Sequence, residues 1–145
     1  MNDAPAATPV ILDSSALVAL MSEDDADHDK AARIAAALQR DGRFLLIPPA
    51  VLAETLNILG KRFGRAFAHA RGAQIIADPA LHIPELTGDV IAPALALWKT
   101  QGGGVSYTDC LVMATADYLQ TKEVFGFDAA FAKNGYHLPG EGEAG

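Results

Sequence analysis

The chain has 145 residues, half of them hydrophobic, with a formal net charge of −7 and one cysteine. The length suits a single domain, and no apolar run approaches the roughly 18 residues that a membrane span needs. The acidic balance argues against indiscriminate nucleic-acid binding, because generic nucleic-acid binders are usually basic. One cysteine excludes an internal disulfide, and the first residues lack the positive start and apolar core of a signal peptide. We therefore expect a cytoplasmic protein.

The first predicted element is a strand that ends on an acid. The apolar residues 9–12 predict a buried strand, and Asp13 follows it directly. Ser14 or Ser15 can cap the helix predicted for residues 16–21, which would leave the Asp13 carboxylate free. An acid at the carboxyl end of a buried strand lies where open α/β sheets bind their ligands.

The rest of the chain alternates further strands and helices. Short apolar runs bounded by proline or glycine predict strands, and longer runs with apolar residues three and four apart predict helices. Strands are predicted at 44–47, 81–83 and 122–127, with an edge at 136–138. Helices are predicted at 31–38 after an acidic helix start at 22–29, at 49 to about 62, at 65–77, 89–100 and 109–119, and as a turn around 131. This alternation indicates a parallel sheet with helices on both faces, between flexible ends at 1–8 and 139–145.

Four acids occupy positions from which they could meet at one edge of such a sheet. Asp13 and Asp128 end apolar runs, Glu54 lies in an apolar helix without a nearby cation, and Asp109 lies near the start of its helix. Capping or a position on the rim of the apolar face is the structural alternative for each of them. Four carboxylates that converge cannot all stay ionised without a cation, and Mg²⁺ or Mn²⁺ suits carboxylate and water oxygens. A soft-metal site is not expected, because Cys110 is alone and the four histidines lack ligand spacing.

The distribution of charge is uneven along the chain. Residues 55–77 contain no acid, yet they include four cations, Lys61, Arg62, Arg65 and Arg71. We call these four residues the basic island. Such an island could contact backbone phosphates, which position a nucleic acid without reading its sequence, or it could be a solvated helix surface.

Four pieces of sequence together carry a resemblance to a known family. They are residues 10–17 (VILDSSAL), residues 53–55 (AET), residues 106–109 (SYTD) with 114–116 (ATA), and residues 127–131 (FDAAF). In this order and spacing they resemble PIN-domain proteins, and most of all the VapC-type toxin ribonucleases of bacterial toxin–antitoxin pairs. The resemblance spans residues 9–138 and implies a PIN domain, a Rossmann-like α/β/α sandwich with a central parallel sheet.

The resemblance implies hydrolysis of RNA phosphodiester bonds with Mg²⁺ or Mn²⁺. Asp13 and Asp109 would be the main metal ligands, while Glu54 and Asp128 would position a second ion or the attacking water. Hydroxyl groups of two further residues, Ser15 and Thr108, would support the ligands. Similar proteins are usually dimers, and a cognate antitoxin packs against an apolar groove. The candidate groove residues are Leu56, Leu59 and Phe63, which core packing explains equally well.

Near the last acid the chain departs from the family pattern. Many relatives have a threonine two residues before that acid and another acid two residues after it, where this chain has Gly126 and Ala130. This departure puts Asp128 in doubt and could loosen the binding of a second ion. Two other classes of protein are alternatives. A phosphotransfer protein of the haloacid dehalogenase type needs a second acid at the position of Ser15, and a catalytically inert PIN module would bind RNA or a partner protein.

Overall fold

The computed structural model describes residues 8–140, and this part of the chain alternates strands and helices. The predicted flexible ends lie almost entirely outside the described residues. The elements in chain order are β1 Val10–Leu12, α1 Ser14–Met21, α2 His28–Arg40, β2 Leu45–Leu46, α3 Pro49–Phe63, α4 Arg65–Ala77, β3 Leu81–His82, α5 Gly88–Thr100, α6 Tyr107–Tyr118, β4 Val124–Phe125 and α7 Ala129–Lys133. No helix within the described residues is long and apolar enough to span a membrane.

The four strands form one parallel sheet in the order β3-β2-β1-β4. This confirms the predicted α/β class with a central parallel sheet. β1 lies between β2 and β4, with Ile11 paired to both Leu46 and Val124. All three residues of β1 are fully buried, as expected for an apolar strand inside a parallel sheet. The residues that follow β1 and β4 therefore lie at the same edge of the sheet.

The helices place further side chains beside that edge. α3 packs against α1 and α4, and α6 packs against β1 and α3. Val51 and Val112, from α3 and α6, are fully buried in the main core with β1. Pro49 occupies the first turn of α3, where its missing N–H costs no hydrogen bond. The acid-bearing starts of these two helices are thus fixed by apolar packing onto the central strand.

Several boundaries differ from the predictions. The acidic stretch predicted as a helix start is a series of turns, and α2 begins only at His28. β4 covers two of the six residues predicted at 122–127, and Glu123 forms an isolated parallel bridge with His137. That bridge is all that forms of the edge predicted at 136–138. α6 begins two residues earlier than predicted, at Tyr107, with Ser106 as its cap.

Candidate active site

The four predicted acids line one cavity at the carboxyl edge of the sheet. The cavity has a volume of about 420 Å³, and Asp13, Glu54, Asp109 and Asp128 all contribute to its wall. They come from four different elements: the end of β1, α3, the start of α6, and the residue before α7. The long-range part of the prediction, that these acids converge, therefore agrees with the structure.

Asp13 caps α1 with one carboxylate oxygen, and its other oxygen takes no part in the cap. Its Oδ2 accepts hydrogen bonds from the Ser15 backbone N–H at 3.2 Å and from the Ser15 hydroxyl at 2.9 Å. Its Oδ1 is buried without any hydrogen-bond partner in the described residues. The expectation that a serine caps α1 was wrong, because the extended backbone of Asp13 aims its own carboxylate at the helix start.

The same division of oxygens recurs at Asp109 and Asp128. Asp109 Oδ2 accepts the Ser106 backbone N–H at 3.0 Å, and the Ser106 hydroxyl accepts the Asp109 N–H, which together form a capping box. Asp128 Oδ1 accepts the Ala130 N–H at 3.0 Å and so caps α7. Capping uses one oxygen of each carboxylate. Helix capping and ligand binding, treated above as alternatives, are therefore compatible in these side chains.

Glu54 is held by a hydroxyl group rather than by a cation. The Ser14 hydroxyl donates to Glu54 Oε2 at 2.5 Å, which links α1 to α3 across the cavity. Hydrogen bonds to a carboxylate are short and strong because the acceptor is charged. This contact explains how an acid without a local salt bridge keeps a defined position.

Burial and the closeness of other carboxylates make ionisation of the acids in this site unfavourable. The pKa of Asp13 is raised from 3.8 to about 6, chiefly because burial removes its hydration and also because Asp109 is near, although hydrogen bonds from Ser15 oppose the shift. Burial likewise raises the pKa of Asp109, with the charges of Asp128 and Glu54 acting in the same direction. Burial and the charge of Asp109 also raise the pKa of the Cys110 thiol. A cation bound at this site would therefore stabilise the ionised form of these carboxylates.

The donor set fits a hard divalent cation that keeps part of its water shell. No group of three or more histidine, cysteine or acidic side chains among residues 8–140 is arranged to hold an ion directly. Mg²⁺ usually keeps several waters and needs only one or two carboxylates. The unpartnered Oδ1 of Asp13 meets that requirement, since a buried carboxylate oxygen without a donor is expensive unless a ligand satisfies it.

Ser15 connects two strand ends through the Asp13 carboxylate. Its hydroxyl donates to Asp13 Oδ2 and accepts the Phe127 backbone N–H at 2.9 Å, which agrees with the predicted supporting role. We expect Ser15→Ala to destabilise the protein by about 1–3 kcal/mol, because it leaves the Phe127 N–H unsatisfied and removes a donor from a buried carboxylate. Chemical denaturation measures this loss. Ser106→Ala, which removes only a helix cap, should cost about 1 kcal/mol. An unchanged Ser15→Ala midpoint would contradict the assigned bridge.

Other predicted members fall outside the cavity. Thr108 does not line it, and its supporting role stays a prediction. Leu59 is fully buried with Val18 and Ala68 in a small core, so core packing, the alternative to a partner groove, explains this residue. Leu56 lines a groove between α3 and α4.

The basic island is divided among three environments. Arg62 lines the acidic cavity, whereas Lys61 and Arg65 line the α3–α4 groove. Arg71 donates to the Met21 carbonyl at 3.1 Å and its guanidinium lies 4.6 Å from the Phe67 ring. The island is therefore not one phosphate-binding surface.

Sequence reasoning also missed two acids at the cavity. Asp25 and Asp27, expected to be solvated residues at a helix start, line its wall from the turns before α2. Their position depends on turn geometry, and no periodicity in the sequence signals it.

Comparison with known proteins assigns the chain to a family. The PIN domain family model matches residues 10–135. This chain belongs to the PIN domain family. Among solved structures, the PIN domain is similar to VapC20 of Mycobacterium tuberculosis, described as a toxin that cleaves the sarcin–ricin loop, with 23% identity over 88% of this chain and 96% of that one and a TM-score of 0.75. At this identity the likeness shows the fold. No curated protein matches significantly.

Proposed function

We propose that this PIN domain is a metal-dependent endoribonuclease that hydrolyses RNA phosphodiester bonds, as a VapC-type toxin. The observation that carries the proposal is the cavity in which acids from four elements meet. Its buried, unpartnered Asp13 oxygen and raised acid pKa values favour cation binding. VapC20, a toxin that cleaves the sarcin–ricin loop, supports RNA as the substrate class.

The four acids divide into two pairs with different roles in the proposed site. Asp13 and Asp109 would hold Mg²⁺ or Mn²⁺, and Glu54 and Asp128 would hold a second ion or orient the attacking water. A divalent ion bound there supplies water activation and neutralises charge on the phosphate and the leaving oxygen. Ser14 keeps Glu54 turned toward the cavity, and Ser15 does the same for Asp13. Because Asp109 is tied to the start of α6 by its capping box, it needs little reordering to act.

Partners form part of the same proposal. A cognate antitoxin would block the site, in the cytoplasm where both proteins would act.

A homodimer is supported by an apolar stripe on α5, where Ile91, Leu95 and Trp98 are 44%, 58% and 46% exposed. Residues four and three apart share one helix face, so these three form a continuous surface.

The function is tested by cleavage of RNA under defined metal conditions. The purified protein is incubated with a pool of structured RNAs in Mn²⁺, Mg²⁺ or EDTA, beside Asp109→Asn. Asparagine can still cap α6 but is a poor ligand for a hard cation. We expect metal-dependent cutting that the variant loses by at least about 100-fold, since even residues behind metal ligands are worth roughly 10- to 100-fold. Equal cutting by both proteins would contradict the role of Asp109.

A second candidate function is a catalytically inert PIN module that binds RNA or a protein partner. It is favoured by the lack, within residues 8–140, of a side-chain group arranged to hold an ion directly. Thermal melting separates the two candidates. An active site should show stabilisation by Mn²⁺ that Asp109→Asn abolishes, whereas an inert module should show no such carboxylate-dependent shift.

A further inference from the structure

Within residues 8–140, all charged side chains in the cavity wall except one are acidic. Among the described residues that line it, six are acids and only Arg62 is a cation. The acids are Asp13, Asp25, Asp27, Glu54, Asp109 and Asp128. An RNA phosphate that enters the cavity meets repulsion from every charged side chain except Arg62.

Helix geometry aims Arg62 at the acids. Glu54, Ile58 and Arg62 are four residues apart along α3, so they share one face, and all three line the cavity. Lys61 precedes Arg62 and points about 100° away, because a helix turns once in 3.6 residues. It lines the α3–α4 groove instead. Two adjacent cations of the same helix therefore face different environments.

Arg62 is held by a partner that a phosphate can replace. Its Nη1 lies 3.8 Å from Asp25 Oδ2, a long ion pair, and 55% of the Arg62 side chain is exposed. Asp25 is less mobile, because its Oδ1 accepts the Asp27 backbone N–H at 2.9 Å and only 20% of its side chain is exposed. Exposed ion pairs are weak. A guanidinium binds phosphate through two parallel hydrogen bonds, which a single long contact to Asp25 does not match.

We propose that Arg62 binds a phosphate of the RNA beside the carboxylates, and that Asp25 is its internal counter-ion, displaced when RNA binds. This inference rests on the proposed ribonuclease function. Asp25 keeps the guanidinium beside the acids while RNA is absent, and it weakens RNA binding because it competes for the same cation. The acidic turn before α2 therefore lowers substrate affinity.

Binding is measured first, with Asp109→Asn in every protein so that the RNA stays intact. A fluorescent pool of random single-stranded RNA is titrated in Mg²⁺ at several salt concentrations, because phosphate contacts do not depend on sequence. We expect Arg62→Ala to weaken binding about tenfold and to reduce the salt slope by about 0.7, the value of one phosphate contact on a single strand. Lys61→Ala is the matched control and should leave the slope unchanged. Arg62→Lys should recover part of the slope.

Asp25→Asn distinguishes phosphate binding from a structural ion pair. If the pair only stabilises the fold, Asp25→Asn and Arg62→Ala both weaken RNA binding and lower the melting temperature together. If Arg62 binds phosphate, the two variants should change RNA affinity in opposite directions. Arg62→Ala should bind RNA more weakly, whereas Asp25→Asn should bind it more tightly and keep the melting temperature of the parent. In the catalytically intact protein, the same opposition should appear in KM. Equal effects of Arg62→Ala and Lys61→Ala would overturn this inference alone, whereas loss of RNA binding in every protein, including the parent, would overturn the proposed function as well.

Discussion

Asp13→Asn is expected to stabilise the metal-free protein above pH 6 and to remove the proposed nuclease activity. Asp13 is 2% exposed, and its pKa is raised from 3.8 to about 6. The native state therefore binds its proton more tightly than the unfolded state does. Stability from this group falls as pH rises above about 4, and the cost approaches its full value of about 3 kcal/mol near pH 7. Asparagine removes that cost and keeps an acceptor for Ser15, although its amide N–H groups replace the unpartnered Oδ1 and return about 1–3 kcal/mol of it.

The prediction is checked by chemical denaturation between pH 4 and 8 in EDTA. The difference between Asp13→Asn and the parent should grow with pH and level off near pH 7. Asp24→Asn, at an exposed turn position, is the matched control and should follow the parent. With Mn²⁺ at about 100 times its dissociation constant, the parent should gain about 2.7 kcal/mol and the Asp13 variant much less. A parent stability that does not change between pH 4 and 8 would contradict this account of Asp13.

Gly126→Ala is expected to destabilise the protein and to disturb the proposed metal site. A Cβ at Gly126 would lie 2.7 Å from the Cβ of Asp13 and 2.9 Å from the Phe131 ring. Both neighbours are buried, so one must move. Overpacking of this kind costs typically about 1–3 kcal/mol. Since one of the displaced groups carries the unpartnered oxygen proposed as a ligand, affinity for Mn²⁺ should fall together with stability.

Gly104→Ala is the matched control for this change. Gly104 lines the same cavity, but a Cβ there meets nothing within 4 Å. Denaturation and Mn²⁺ titration of both variants separate a general effect of losing glycine from the specific clash. Equal stability and equal Mn²⁺ affinity would show that Asp13 and Phe131 adapt freely. The clash also gives a physical reason for glycine at this position.

The sequence predicted the fold well because local and long-range signals agree. Short apolar runs end at acids or prolines, longer ones have helical spacing, and their alternation restricts the chain to a parallel sheet. α4 was predicted with the observed bounds, and Gly64, at a φ of 94°, marks its start as a backbone position that favours glycine. β4 was overestimated because Phe127 extends the apolar pattern, whereas only Val124 and Phe125 pair with β1.

The site was harder to predict because one residue can have two roles. Capping and ligand binding were weighed as alternatives for Asp13, Asp109 and Asp128, yet each uses one oxygen for a helix and has a second oxygen. Sequence spacing does not assign individual carboxylate oxygens. The role proposed for Arg62 has a signal in the sequence, its four-residue spacing from Ile58 and Glu54. Grouping cations by their proximity along the chain concealed the helix face on which each one lies.

The fully buried Cys110 has a practical consequence for studying this protein. It follows Asp109 directly in the first turns of α6, so a thiol reagent reaches it only when that helix start opens. Because it is the chain's one cysteine, every labelled molecule records the same event. The labelling rate therefore measures how often the structure beside the carboxylates opens locally. It needs neither a known RNA target nor an active enzyme, and it allows metals, partners and variants to be ranked by how firmly they keep this region closed.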